Sequence, residues 1–500
     1  MNFALILATL ALAIGSFMNV LDSTIVNVSL THIAGDFAIA PNQGTWIITS
    51  YAVSEAIFLP LVGWLTKRFG VVRQYIWSTI LFTLASLLCG LSFSFNFLLF
   101  SRVLQGVVGA SMIPLSQTLM MSLYPKEKRG MAMGIWSITV IVAPVLGPVI
   151  GGFITDSFSW RWCFYINLPI GLLSGYLVHR IFKSRGYTET YEKSKIDILG
   201  LILLTLGVGS LQILLDKGND LDWFSSDFIK LLAICAVMCL VILFIWEWYH
   251  ENPVVNVKMF KNRNFLIGSL TLTIATIAFF SSVVVIPLWL QNYMGYTAFK
   301  SGTTTATSGI LVLFIAPVLG SQLHRVDARK VIVFGFLSFS IISITMAKFT
   351  PDVTSGYIAL TRFLSGVGLG FFFVPLNTIT LSEIRKEDMA AASGLYNFMR
   401  NIGTSFGTSL SVNYWDHRMS MHRETMVTSI NSSNPNFISY MNQTAGSVNA
   451  KLVGINMIIN KQASIMGVND IMKISGVLIL VLIPFIFLAK KPDKVITSGH

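Results

Sequence analysis

Charge is what this chain has least of. Asp, Glu, Lys and Arg together make up 12% of its 500 residues, against roughly a quarter in a soluble globular domain. Long polar stretches are scarce too, and the apolar residues fall in blocks of about twenty. That excludes a soluble globule, and it excludes a transmembrane β-barrel, whose strands alternate over segments of ~10 residues. Cysteine is nearly missing. Cys89, Cys163, Cys235 and Cys239 lie in or beside apolar blocks without metal-ligand spacing, which suits small buried hydrophobes. The nucleotide-binding pattern G-x-x-x-x-G-K-[ST] does not occur, so ATP is not expected to supply energy. No nucleophile–base constellation or metal set marks an enzyme, and no cofactor is expected. The first apolar block lacks a basic n-region and is too long for a signal sequence, so it is expected to remain uncleaved.

What is there is hydrophobic: 54% of residues, with mean hydropathy +0.69. A spanning helix needs ~20 apolar residues, and such windows predict about fourteen spans, an all-α polytopic membrane protein. The first runs from about Ala4 to Val28, the second Trp46–Gly63, the fourth Phe97–Met121, the fifth Met131–Phe153 and the sixth Phe164–Phe182. Ile198–Leu215 and Phe228–Trp248 follow, and Ala390–Val412 and Asp470–Ala489 close the series. The net charge of +12 suggests nucleic acid at first sight. Its carriers sit in short loops between spans, though, and 22 of the 35 Lys and Arg fall in alternate loops and the C-terminal tail. Lys and Arg collect on the cytoplasmic side, so both termini are expected there.

Two segments repeat. Gly63–Arg73 (GWLTKRFGVVR) recurs as Gly320–Lys330 (GSQLHRVDARK), and Arg102–Gly109 (RVLQGVVG) as Arg362–Gly368 (RFLSGVG), at nearly equal offsets. An ancient duplication follows, with six spans per half and a substrate path between the halves near the midplane. The expected organisation is a six-helix bundle over 1–185, two inserted helices with their loops over 186–264, and a second six-helix bundle over 265–500. The last includes a long outer loop, 416–469, too long for a mere connection; its apolar patch Leu452–Ile459 favours a folded or docking hairpin.

Several spans carry charge where hydrocarbon is expected. Asp22 lies inside the first span, and an ionised carboxylate there costs at least ~2.5 kcal/mol. It is kept neutral, faces a water-filled cavity, or has a cationic partner. Each of those states responds to protons, which makes Asp22 the leading proton-coupling candidate. Arg102, in the outer half of the fourth span, either snorkels to the interface or acts as the cation that senses the charge of Asp22. Glu55, midway along the second span, is a second protonation site, a contact for a cationic substrate, or a structural hydrogen-bonding group. Arg400, flanked by Asn397 and Asn401, is a cavity or gate contact or part of a buried network. Asn19 and Asn377 complete the substrate-cavity candidates. Ala143, Gly147 and Gly151 repeat every four residues, a face along which helices pack tightly, while Pro144 and Pro148 remove backbone donors and are expected to bend the helix. Phe and Met, 36 and 20 residues, suit adaptable contact with lipophilic compounds.

These motifs carry a resemblance. Gly63–Arg73, with Gly63, Lys67, Arg68, Gly70 and Arg73, resembles the loop signature of the major facilitator superfamily, with Lys67 where that family usually has Asp. Leu21–Leu30 (LDSTIVNVSL) resembles the first-span signature of its fourteen-span drug:proton antiporters. Ala143–Gly152 (APVLGPVIGG) matches their fifth-span antiporter signature G-x-x-x-G-P-x-x-G-G, with Ala at the first glycine. Gly44–Ser50 (GTWIITS) and Leu221–Ser226 (LDWFSS) are similar to the inner-membrane pumps of tripartite multidrug exporters. The resemblance implies the major facilitator fold, two six-helix bundles with two extra central helices. It implies proton-coupled efflux of lipophilic drugs by alternating access across a cell inner membrane, with the proton gradient as energy source. The loop residues and Pro144, Gly147, Pro148, Gly151 and Gly152 would then serve gating. A periplasmic membrane-fusion adaptor and an outer-membrane channel are the implied partners, with no nucleic acid. Two other functions remain open: a dedicated exporter of one metabolite, such as a siderophore or fatty acid, and a non-transporting membrane sensor or scaffold.

Overall fold

The computed structural model of the chain describes residues 3–125, 128–184, 197–428, 430, 434–443 and 447–490, and every regular element among them is a helix. The first half contains α1 (Phe3–Asp36), α2 (Pro41–Gly44), α3 (Trp46–Phe58), α4 (Val62–Phe69), α5 (Val71–Gly90), α6 (Phe95–Gly109), α7 (Met112–Leu123), α8 (Arg129–Ser157), α9 (Trp162–Tyr165) and α10 (Asn167–Ser184). Two helices follow, α11 (Ile198–Lys217) and α12 (Asp227–Tyr249). The second half comprises α13 (Arg263–Asn292), α14 (Ala298–Gln322), α15 (Ala328–Met346), α16 (Ser355–Thr380), α17 (Met389–Thr428), α18 (Pro435–Gln443) and α19 (Val448–Ile486). The boundary expected at 185–186 lies outside the described residues.

Local chemistry explains the breaks. The second span bends by 62° between α3 and α4, where Pro60 interrupts the helix. The fourth divides into α6 and α7 at Gly109–Ser111; Pro114, lacking an N–H, cannot bond the carbonyl one turn back. At Gly70 the chain turns from α4 into α5 with φ 82°, a backbone conformation that glycine adopts without steric cost. Pro144 and Pro148, by contrast, sit inside one uninterrupted helix, α8.

Among the described residues, eleven helices are long and apolar enough to cross a membrane, or twelve when the bent α3–α4 pair is one span. The expected fourteen are not reached on that criterion. The sixth and thirteenth expected spans fall on α10 and α17, which carry Arg180 and Lys183, and Asn397, Arg400 and Asn401. They are helical but more polar.

The duplication is visible in the packing. In the first half α1 packs on α8 and α10, α5 on α6 and α10, and α3 on α6; in the second, α13 packs on α17 and α19, α15 on α16 and α19, and α14 on α16. The pairs correspond one to one. The halves meet mainly along α8 and α14. On the side that carries the N-terminus they interlock at atomic contact: Gly63 faces Ala391, Gly130 faces Gly320, and Gly134 faces the Ala316 carbonyl. A side chain at Gly63 would place its first carbon 2.4 Å from the Ala391 methyl, so only glycine allows that approach. On the opposite side α11 lies between α3 and α17. Gln212 exchanges hydrogen bonds of 2.9 and 3.1 Å with Ser405, Ser409 donates to the Leu215 carbonyl, and Lys217 reaches Thr45 and the face of Trp46. α12 is mostly exposed on its apolar surface.

In the segment expected as a long outer loop with a folded or docking hairpin, 416–469, the described residues are mostly helical. α17 continues for 40 residues and α19 for 39, and the two pack together. At 1.5 Å per residue each is about 60 Å long, twice the ~30 Å of a hydrocarbon core. Arg418 and His422 on α17 both meet Asp470 on α19 at 2.7 Å, fastening the base of the extension.

Candidate functional site

Asp22 is fully buried, twenty residues into α1. Arg102 of α6, also fully buried, donates from Nη1 to its Oδ2 at 2.7 Å. Gln105, one turn further along α6, donates to Oδ1 at 2.9 Å, and Asn167, the first residue of α10, donates to the same oxygen at 2.6 Å. The carboxylate therefore has three donors from two helices. Arg102 in turn gives Nε to the Ile47 carbonyl at 3.2 Å and Nη1 to Gln105 Oε1 at 2.8 Å. Its guanidinium lies 4.3 Å from the ring centre of Tyr51, in reach of a cation–π contact. Of the two readings of Arg102, snorkelling is excluded: its head group points inward to the acid.

Tyr51 carries the network onward. Its hydroxyl accepts from Asn19 Nδ2 at 3.1 Å and donates to Glu55 Oε1 at 3.3 Å. Glu55 and Arg400 are both partly exposed, one from each half, and interact electrostatically without an ion pair among the described residues.

The small-residue face of α8 packs against the Asp22 segment. A side chain at Gly147 would meet Thr24, and one at Gly151 would meet the Ile25 carbonyl at 2.7 Å. The other face of α8 is the one pressed on α14, where Gly302 and Gly309 meet Val149, Val142 and Val145. One helix thus touches both the buried acid's own segment and the opposite half.

A model of the Major Facilitator Superfamily matches residues 12–408. The chain belongs to this superfamily. It is 42% identical over 492 residues to the Multidrug export protein EmrB of Escherichia coli strain K12, covering 98% of this chain and 96% of that protein. To the Fatty acid resistance protein FarB of Neisseria gonorrhoeae it is 37% identical over 500 residues, 99% and 98% of the two chains. Two solved structures share the superfamily fold. The human organic anion transporter MFSD10 matches with TM-score 0.63 at 10% identity, over 96% of this chain and 99% of that one. The proton:xylose symporter XylE matches with TM-score 0.58 at 14% identity, over 96% of each.

As a major facilitator protein the chain is a multi-pass membrane transporter, and its signature residues have definite places. Gly63 makes the inter-half contact and Gly70 the turn. Lys67, Arg68 and Arg73 are exposed; Arg68 stacks over Trp64, and neither Lys67 nor Arg68 forms an ion pair among the described residues. Among the described residues, the closest contacts between the halves at this rim are made by small residues. Asn377 and Asn397, expected in a cavity, are fully buried. Asn397 donates to Gln117 Oε1 at 3.0 Å and Asn377 to Ser137 Oγ at 3.4 Å, so both bridge the halves. Asn19 is also buried, bonded to Tyr51 and to the Gly109 carbonyl at the α6–α7 break.

The repeat mate of the ion pair is instructive. Arg102 and Asp22 are 80 residues apart, as are Arg362 and Ser282, and Arg362 Nη1 donates to Ser282 Oγ at 2.9 Å. The second half keeps the buried arginine but holds a hydroxyl where the first holds a carboxylate. Gln105, Asn167 and Tyr51 were not foreseen from sequence. Gln105 was within reach of foresight, one turn from Arg102 in RVLQG; Asn167 gave no signal, because its role depends on how α10 docks.

Proposed function

We propose that the protein is a proton-coupled multidrug exporter of lipophilic compounds that works by alternating access, with Asp22 as the coupling carboxylate. The observation that carries the reading is the fully buried Asp22–Arg102 pair, set against the helix that also grips the other half. With Asp22 ionised, the pair and its amide donors hold α1, α6 and α10 together. A proton entering from the outer side neutralises Asp22 and leaves Arg102 to Gln105, the Ile47 carbonyl and the Tyr51 ring. Breaking a buried pair costs about 3–5 kcal/mol. A proton driven by 100 mV supplies ~2.3 kcal/mol, and each unit of pH gradient ~1.4 kcal/mol more. The two are of one magnitude, so proton binding is sufficient to shift the balance between inward and outward states.

Glu55 and Arg400, one from each half, serve as second protonation or substrate contacts. The relatives named for multidrug export support the drug class, and the inner membrane with both termini cytoplasmic agrees with the loop charges. The helical extension of α17 and α19, with Leu452, Val453, Met457 and Ile458 exposed, is the docking element for a periplasmic adaptor and, through it, an outer-membrane channel. A narrower reading, export of fatty acids, draws support from the 37% identity to a fatty acid resistance protein.

The test is dye efflux in inverted vesicles with and without a pH gradient. Asp22→Asn is expected to lose the gradient-dependent component. Unchanged gradient-driven transport in that variant overturns it.

A further inference from the structure

Two carboxylates in the first half, Asp22 and Glu55, lie on different helices and share no hydrogen bond. One side chain touches the surroundings of both. The Tyr51 ring lies under the Arg102 guanidinium at 4.3 Å, while its hydroxyl donates to Glu55 at 3.3 Å and accepts from Asn19 at 3.1 Å. Tyr51 is itself 2% exposed, and its backbone is fixed from behind, since a side chain at Gly106 of α6 would come within 2.5 Å of the Tyr51 carbonyl. The ring is buried against Arg102.

We propose that Tyr51 is the positioning residue that joins the Asp22–Arg102 pair to Glu55, so that the two carboxylates titrate as one unit and the charge state of the buried pair is conveyed to the boundary between the halves. The inference rests on Asp22 being the coupling site and adds the route by which its protonation is felt elsewhere. Its physics is the competition of two acids for one cation. With Asp22 ionised, Arg102 is neutralised by direct contact. When Asp22 takes a proton, the guanidinium is uncompensated; its field across the phenol ring strengthens the hydroxyl as a donor and favours the ionised form of Glu55. Protonation at one site thereby opposes protonation at the other, the behaviour of coupled groups with shared macroscopic titration steps. Glu55 then presents its negative charge to Arg400 of α17.

Among the described residues, other charges near Glu55 are few. From the elements packed on α3 they are Arg102 on α6, Asp22 on α1, Arg400 with Tyr396 on α17, and Asp216 and Lys217 on α11. The last two are bonded nearer the outer end of α3, at Thr49 and Thr45.

The experiment compares wild type, Tyr51→Phe, Glu55→Gln and the double variant as full-length protein in proteoliposomes, reading the pH profile of gradient-driven dye transport. Phenylalanine keeps the ring under Arg102 and removes only the hydroxyl. Losing one hydrogen bond to an ionised carboxylate removes stabilisation of its charged form, so the midpoint assigned to Glu55 is expected to rise by about one pH unit in Tyr51→Phe. The double variant is expected to match Glu55→Gln, because the hydroxyl has no acid left to act on. Thermal unfolding of each purified variant serves as the fold control. A Tyr51→Phe profile superimposed on wild type, or effects that add in the double variant, overturns the proposal. Either result leaves the Asp22 assignment standing, whereas gradient-driven transport in Asp22→Asn would remove its foundation.

Discussion

At the scale of single residues the chain is governed by where it leaves ionisable groups. Asp22 was legible in the sequence because a carboxylate inside an apolar block has few physical states, and Arg102 because it too interrupts one. Their contact was not legible. It depends on α1 and α6 crossing at one depth, and on Asn167 arriving from α10. Outside the membrane a different acid offers a simpler check. Asp36, at the outer end of α1, is held below its ordinary carboxylate range chiefly by the hydrogen bond from Trp160 and also by Arg161. Its folded-state value is depressed, so its contribution to stability is present above the unfolded value near 3.8 and lost as pH falls below that. The difference in thermal stability between wild type and Asp36→Asn is therefore expected to be constant from pH 7 to 5 and to shrink below about pH 4. A difference that grows with acid would contradict the contact.

At the scale of helices, periodicity and small residues said much and proline said less. The four-residue spacing of Ala143, Gly147 and Gly151 predicted a tight seam, which is found against α1. Pro144 and Pro148, expected to bend the helix, lie inside α8 without interrupting it. The second α8 seam was not legible, since Gly130 and Gly134 lie in a stretch without a motif. It is nonetheless the contact that closes the N-terminal side. Replacing Gly134 by Leu drives a side chain into the Ala316 carbonyl, 2.3 Å from where its first carbon must sit. Overpacking of that kind costs about 1–3 kcal/mol, roughly tenfold or more in the population of the closed state. Dye transport by Gly134→Leu is expected to fall about tenfold with expression retained, and cysteine accessibility should increase on the N-terminal side. Normal transport would show that this contact opens at no cost.

At the scale of the molecule, the duplication read from two short repeats returns as a matched packing pattern in the two halves, while its asymmetry, Ser282 facing Arg362, needed coordinates to be noticed. The number of spans is less well read from hydropathy, because α10 and α17 trade apolarity for the polar residues that their packing uses. Segment 416–469 was legible only in part. Its polarity reads as a loop and its apolar patch as a folded hairpin, and the described residues are mostly the paired ends of α17 and α19. Replacing residues 430–455 with a short flexible linker is expected to leave dye transport in proteoliposomes unchanged while abolishing drug resistance of cells. Loss of both would assign the extension to transport itself, and loss of neither would remove its docking role.

The most direct measurement is proton release. Purified protein in lightly buffered detergent solution, near the pH where gradient-driven transport is half-maximal, is mixed with a transported drug while pH is recorded. Coupling through Asp22 predicts that drug binding expels protons from the wild type and that Asp22→Asn, still binding the drug, expels far fewer. Equal release from the two proteins would contradict the claim that this buried carboxylate carries the proton.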